Sequence, residues 1–487
     1  METVVKQIIA VAQKQPDKVA IKSEDGVVTY DELLNEIKRI YCYLHDEIHI
    51  AKGSSVMLSA EKNITFVSTY FALHALGATT IPVDPRSSGA TLKHIKLVTT
   101  PKLLIGLGTS ETDSISYESL RNLSMKYIGS GELKAESVPG DIADVMFTSG
   151  TTGIPKGVIL THGNISASTN NISRYIGNTA DDVELLALPI CHSFGLGRMR
   201  CILSCGGTLV FFDGFFNVKK MFKTIRQENV TGFGMVPASW AMIKRLSGER
   251  IGEFSDILHY IELGSAFLDV KDKQLLANLL PSTRICMHYG LTEASRSVFM
   301  EFHNDNLSSV GKPLPGVDVK IMDDYGNILP ETGEGEICIK GPHVTRGYCN
   351  DDKLTQDSFF GDYFRTGDVG YEKDGYIFLT GRSKEIINVG GKKVSPVEIE
   401  RICMEINGIQ EAVCVGIDDP GGITGEAIKL YLVVKDQSRF DLDSLKKILL
   451  MRLEWYKIPH IFEYIDSIPK TENGKPKRYL LEQLQNK

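Results

Sequence analysis

Between Val56 and Val83 two short apolar runs, Val56-Met57-Leu58 and Thr79 to Val83, bracket a helix-length stretch from Thr65 to Leu76 that Gly77 ends. Two strands separated by a helix cannot close as a hairpin, so the connection is a crossover joining parallel neighbours. A parallel sheet needs helices on its faces, and this unit therefore predicts a large α/β body rather than a sandwich or a bundle. The texture recurs at Lys102 to Ile105, Gly207 to Phe212 and Gly232 to Val236, up to about residue 380, with an antiparallel section expected from Val317 to Ile339. Ahead of it, Thr29 to Leu33 opens an amphipathic helix whose Leu33, Leu34, Ile37, Ile40 and Leu44 fall at helical spacing.

The 487 residues exceed what one hydrophobic core serves, so at least two domains are expected. At Gly381-Arg382-Ser383-Lys384 the texture changes. Ser395-Pro396-Val397-Glu398 has the pattern of a capping box with proline at the first helical position. Strands at Glu411 to Ile417 and Ala427 to Val434, with a helix from Leu442 to Trp455, predict a small α+β domain. The charged run Pro469 to Arg478 reads on composition as a solvated tail.

A net charge of −7 gives no general attraction to nucleic acid or to an anionic membrane. No apolar run has the length of a membrane span, and Met1 to Asp17 lacks the layout of a signal peptide. Nine scattered cysteines, none at paired zinc spacing, predict reduced thiols in a cytoplasmic protein.

Chemistry concentrates first in Thr148-Ser149-Gly150-Thr151-Thr152-Gly153-Ile154-Pro155-Lys156-Gly157, between the apolar runs Ala143 to Phe147 and Val158 to Leu160. Glycines let backbone N–H groups converge on an anion, hydroxyls add donors, and Lys156 adds charge. The spacing is not that of the Walker loop, because Pro155 sits where that pattern has its second glycine. Four clusters follow. Leu188 to Gly195 contains Cys191-His192-Ser193, with no second ligand at metal spacing, so His192 reads as lining a cleft. Leu263-Gly264-Ser265-Ala266 is a small-residue turn that something flat can approach. Tyr289-Gly290-Leu291-Thr292-Glu293-Ala294 offers a ring, a hydroxyl and a carboxylate, or simply a capped strand end. Thr366-Gly367-Asp368 puts a carboxylate on an expected tight turn, suited to gripping a diol.

Taken together, Thr148 to Gly157, Tyr289 to Glu293, Thr366 to Asp368, Gly381 to Lys384 and Gly474-Lys475 resemble, in order and spacing, the motifs of the AMP-forming acyl-CoA synthetases. That adenylate-forming superfamily includes peptide-synthetase adenylation domains and firefly luciferase, and the resemblance covers nearly the whole chain. It implies a large N-terminal AMP-binding/adenylation domain of βα units, residues 1–381, and a small, mobile α+β C-terminal lid, residues 382–487. It also implies two half-reactions. A carboxylate attacks the α-phosphorus of ATP, releasing pyrophosphate and leaving an acyl-adenylate; a thiol, usually coenzyme A, then displaces AMP.

By the same resemblance, Thr148, Ser149, Gly150, Thr151, Thr152 and Lys156 would hold the β- and γ-phosphates, Thr292 the α-phosphate, and Glu293 the Mg²⁺ ion. Tyr289 and Gly290 would meet adenine beside Gly264, Ser265 and Ala266, while Asp368 and Arg382 would take the ribose. Lys475 resembles the lid lysine between the incoming carboxylate and the α-phosphate, Lys384 the hinge, and Gly391 the glycine at the thiol tunnel. His192 completes the expected catalytic set with Lys475, Thr292 and Glu293. The chain departs from the pattern at Asn388, where some relatives carry lysine, and at Ser295 and Pro476.

The acid, fatty, short-chain or aryl, is expected to lie among Trp240, Met235 to Ser239, Ser265-Ala266 and Tyr289 to Leu291. His192 and Ser193 supply no fixed negative charge for an ammonium group, which argues against a free α-amino acid. An acyl carrier protein as acceptor, and an inactive nucleotide-binding module, stand as alternatives.

Overall fold

The computed structural model describes residues 2–108, 113–127, 132–149, 155–382, 385, 387–389, 392–420, 426–438, 440–471 and 474–484, without the side chains of Ser149, Arg382 and Lys393. The amphipathic helix runs Tyr30–Asp46 and is closed by a capping box: Thr29 Oγ1 accepts from Glu32 N, and the Glu32 carboxylate accepts from Thr29 N at 2.8 Å. It buries Leu33, Ile37, Ile40 and Leu44, while Leu34 stays half-buried.

The expected crossover unit is present, with strands Ser55–Ser59 and Thr79–Val83 parallel and the helix Ile64–Ala75 buried along its whole length. The single body read from the sequence separates, however, into three sheets. A seven-stranded sheet holds this unit and ends in the antiparallel strands Ile142–Ser149, Pro155–Thr161 and Gly347–Tyr348. A nine-stranded sheet has six parallel neighbours in the order Arg284–Leu291, Tyr260–Leu263, Gly232–Met235, Val183–Leu186, Thr208–Phe211 and Val19–Ser23, with antiparallel edges. The third is a five-stranded antiparallel sheet containing Asp318–Met322 and Gly335–Lys340, where the antiparallel section was expected.

After residue 382 a hairpin, Ile387–Val389 with Lys392–Val394, precedes a three-stranded sheet of Ile409–Asp418, Glu426–Val434 and Ile461–Tyr464. No hydrophobic cluster among the described residues draws members from both sides of residue 382. All nine cysteines are free, and among the described residues no helix is long and apolar enough to cross a membrane.

Four expectations are corrected. The helix Pro396–Met404 starts with proline, but its capping box does not form: Ser395 Oγ donates to the Thr380 carbonyl instead, and Glu398 accepts from Lys457. The helix Leu442–Arg452 stops short of Trp455, because Leu453 turns extended to enter the core. The run ending at Arg478 is no solvated tail, since the Arg478 guanidinium pairs with Glu400 and Glu385 in a largely buried cluster. Trp240 is no exposed wall: it lies on the helix Pro237–Ser247 and is fully buried in the core.

Candidate active site

Parallel strands present their carboxyl ends at one edge, and ligands of open α/β sheets bind there. Four of the chemistry-bearing stretches follow such strands in the nine-stranded sheet. His192 and Ser193 follow Val183–Leu186, Pro237 to Ser239 follow Gly232–Met235, Gly264 to Ala266 follow Tyr260–Leu263, and Tyr289 to Glu293 end Arg284–Leu291. The register pairs Leu263 with Met287, so the Gly264-Ser265-Ala266 turn lies beside His288, Tyr289 and Gly290. Ser265 sits in this turn at φ +72°.

The phosphate-loop candidate is the connection of an antiparallel hairpin, in which Thr148 pairs with Lys156 and Ser149 with Pro155. Gly150, Thr151 and Thr152 lie outside the described residues. The hairpin's second strand pairs with Gly347–Tyr348 and thereby reaches the Thr292-Glu293 turn. Thr345 N donates to the Glu293 carbonyl at 2.7 Å, and Thr345 Oγ1 to the Ile159 carbonyl at 2.6 Å. Tyr348 Oη donates to Glu293 Oε1 at 2.8 Å, and Lys156 Nζ stands 6.0 Å from the centre of the Tyr348 ring. Burial and the Glu293 carboxylate push the Tyr348 hydroxyl well above its ordinary range, so it stays a donor. Tyr348 was not singled out by sequence, because an isolated tyrosine after a short strand carries no motif.

Asp368 lies not on a tight turn but inside the strand Tyr363–Lys373. Gly367, at φ +71°, forms a bulge there: Thr366, Gly367 and Asp368 together face the single residue Ile337. Thr366 Oγ1 donates to the Ile337 carbonyl, and the Glu336 carboxylate accepts from Gly367 N at 2.9 Å. Bulges re-aim side chains, and this one brings Asp368 Oδ2 to 2.8 Å from the Tyr289 hydroxyl. Arg382 stands opposite Asp368 in the hairpin register. The adenine and ribose candidates therefore converge.

Lys475 reaches the same edge. Thr471 N donates to the Lys475 carbonyl at 2.8 Å, and Gly474 sits at φ +78°. A Cβ on Gly474 would come 3.1 Å from the Ala238 Cβ, so Gly474 packs on the first turn of the helix Pro237–Ser247. Lys475 itself is exposed. Gly391 lies outside the described residues.

His192 precedes the helix Ser193–Cys205 without capping it. Burial lowers its pKa, against the raising effect of Asp84. No group of three or more His, Cys, Asp or Glu able to hold a metal occurs among the described residues. Mg²⁺ does not need one, since it keeps several waters and takes one or two carboxylates together with phosphate oxygens. A single oriented carboxylate such as Glu293 fits that demand.

The sequence also hid a charged floor beneath the turn. Glu262 is fully buried and accepts from Arg296 Nε at 2.7 Å and Arg198 Nη1 at 3.2 Å. The His288 Nδ1 lies 2.7 Å from Glu262 Oε1. Burial alone would raise the Glu262 carboxyl, but Arg296, His288 and Arg198 outweigh it and hold it well below its usual range.

The family model of AMP-binding enzymes matches residues 9–349, well over half of the chain, and that of the AMP-binding enzyme C-terminal domain matches residues 398–475. The chain belongs to the AMP-binding enzyme family. It is 28% identical to the oxalate–CoA ligase of Arabidopsis thaliana, over 97% of this chain and 96% of that protein. It is 29% identical to the feruloyl-CoA synthase of an Amycolatopsis species, over 95% of each. The O-succinylbenzoate coenzyme A synthetase of Bacillus subtilis, in complex with ATP and magnesium ion, superposes with a TM-score of 0.87 at 26% identity, covering 98% of both chains. The expected fold, a large α/β domain with a small C-terminal α+β domain, is that of adenylate-forming enzymes.

Proposed function

We propose that this chain is an AMP-forming acid–thiol ligase: it converts a carboxylic acid and ATP to an acyl-adenylate and pyrophosphate, then transfers the acyl group to coenzyme A. The observation that carries this is the meeting of Lys156, Glu293, Tyr289, Asp368 and Gly474-Lys475 along one sheet edge, through the contacts described above. The relatives named as CoA ligases support coenzyme A over a carrier protein.

Two anions must approach each other, so the protein has to supply fixed donors and positive charge. Thr148, Ser149, Gly150, Thr151, Thr152 and Lys156 hold the β- and γ-phosphates, and Thr292 the α-phosphate. Glu293 would hold magnesium, which when bound would neutralise phosphate charge, and Tyr348 orients the Glu293 carboxylate for that role. Tyr289 and Gly290, beside Gly264 to Ala266, cover the adenine, and Asp368 with Arg382 grips the ribose. Lys475 bridges the acid and the α-phosphate, and His192 lines the acid side. The proposed boundary is 381/382, a division supported by the absence, among the described residues, of a hydrophobic cluster spanning it; the small domain would turn there as a lid and exchange Lys475 for Gly391 between half-reactions. Nine free thiols suit a cytoplasmic setting.

The test follows both products: pyrophosphate release with a panel of acids, and thioester formation with coenzyme A and with an acyl carrier protein. Release of pyrophosphate followed by acyl-CoA supports the proposal; no release with any acid refutes it.

A further inference from the structure

We propose that His288, Phe194 and Arg296 close the inner end of the acid cleft, so that the enzyme activates short carboxylic acids and rejects long-chain ones. This rests on the ligase reading and specifies its substrate. On this proposal an acid with its carboxylate near Thr292 and Glu293 runs its tail between the start of the helix Ser193–Cys205 and the Gly264–Ala266 turn, both at the carboxyl edge of the nine-stranded sheet. That gap is filled.

The His288 ring presses on the turn: a Cβ on Gly264 would lie 2.1 Å from both its Cε1 and Nε2. The side chain keeps only 7% of its surface accessible. Its ring meets Phe194 edge-on, with centroids 4.7 Å apart. The Arg296 guanidinium lies 4.8 Å from the Phe194 ring centre and donates to the carbonyls of Phe194 and Ser193, at 2.8 and 3.3 Å. Its Nη1 stands 2.5 Å from where a Cβ on Gly197 would sit, so nothing passes along that face of the helix.

The closure is held by a charged network. Arg296 joins the Ala294–Glu301 strand to the helix through those carbonyls and to the Tyr260–Leu263 strand through Glu262. An alkyl tail that displaced it would take one of its charged partners from the buried Glu262 and a donor from each of two carbonyls, and methylenes repay none of that. Beyond Arg296, toward Asn164 and His343, the cavity amounts to about 10 Å³, room for one water and not for a tail.

The experiment is kcat/KM for pyrophosphate release with straight-chain acids from acetate to dodecanoate, in the wild type, His288→Gly and Phe194→Ala. The wild type should lose roughly tenfold or more per added methylene once the tail meets the ring, and either variant should move that fall to longer acids. Phe194→Ala decides the matter should His288→Gly fail to fold. Dodecanoate turned over as well as the short acids, or a fall left unmoved in both variants, would overturn the closure alone. No pyrophosphate with any acid would overturn the ligase reading and the closure with it.

Discussion

The hydroxyl of Tyr289 lies 2.8 Å from Oδ2 of Asp368, joining the end of a parallel strand to a bulge in an antiparallel sheet. Seventy-nine residues apart in sequence, the two are side by side in the fold. The bond orients the carboxylate that is proposed to accept from the ribose. Asp368→Ala should therefore raise the apparent KM for ATP, by roughly ten- to hundredfold for a lost charged hydrogen bond of about 1.5–3 kcal/mol, and leave that for the acid nearly unchanged. Tyr289→Phe keeps the ring and should do less harm. Steady-state kinetics varying each substrate checks this; a fall confined to the acid would refute the ribose assignment.

Tyr348 bears on magnesium. Without its hydroxyl, Glu293 loses the donor that orients Oε1. Tyr348→Phe should shift the Mg²⁺ concentration for half-maximal pyrophosphate release upward by roughly ten- to hundredfold, the usual cost of losing a partner that orients a metal ligand, with activity recovered at high Mg²⁺. An unshifted titration would separate Tyr348 from the metal site.

Much of this geometry was legible in the sequence, and the remainder was hidden for identifiable reasons. The crossover unit at Val56 to Val83 showed itself because strand and helix periods differ. Asp368 was recognised by type but placed on a turn, because a glycine that opens a bulge looks locally like one that opens a turn. Ser395-Pro396-Val397-Glu398 carries the letters of a capping box, yet tertiary partners, the Thr380 carbonyl and Lys457, took both side chains. Trp240 looked like a pocket wall because its neighbours Pro237 to Ser239 stand at the site, but the helix turns it inward. Glu262, His288 and Arg296 form no contiguous motif; only the register and the positive φ of Arg296, 56°, bring them together.

Acid should destabilise the fold early. His162 and His343 are buried, and burial, with His74 adding to it at His162, pushes their pKa values down to about 3 and about 4. In the unfolded chain both take a proton near about pH 6.5. Above that pH neither state is protonated and no penalty arises. As pH falls below it, the unfolded chain gains protons that the folded one refuses. Stability should drop by up to about 1.4 kcal/mol per pH unit per histidine, or about 4 kcal/mol for the pair by about pH 5. Chemical denaturation between about pH 7 and about pH 5 measures this, and His162→Leu should remove one histidine's share of the slope. A flat profile in the wild type would contradict it.

In the proposed mechanism Lys475, beside the Gly474 that packs against Ala238, supplies the charge that lets carboxylate and ATP meet. The decisive measurement is both half-reactions in Lys475→Ala: acyl-adenylate formed from acid and ATP, and acyl-CoA formed from a chemically prepared acyl-adenylate. Exposed charges contribute little to stability, so the variant should fold normally. Adenylation should fall by about a hundredfold to a thousandfold or more, the scale of removing a group aimed at transition-state charge, while thioester formation should proceed near the wild-type rate. Equal losses in the two halves, or near-normal adenylation, would contradict that mechanism.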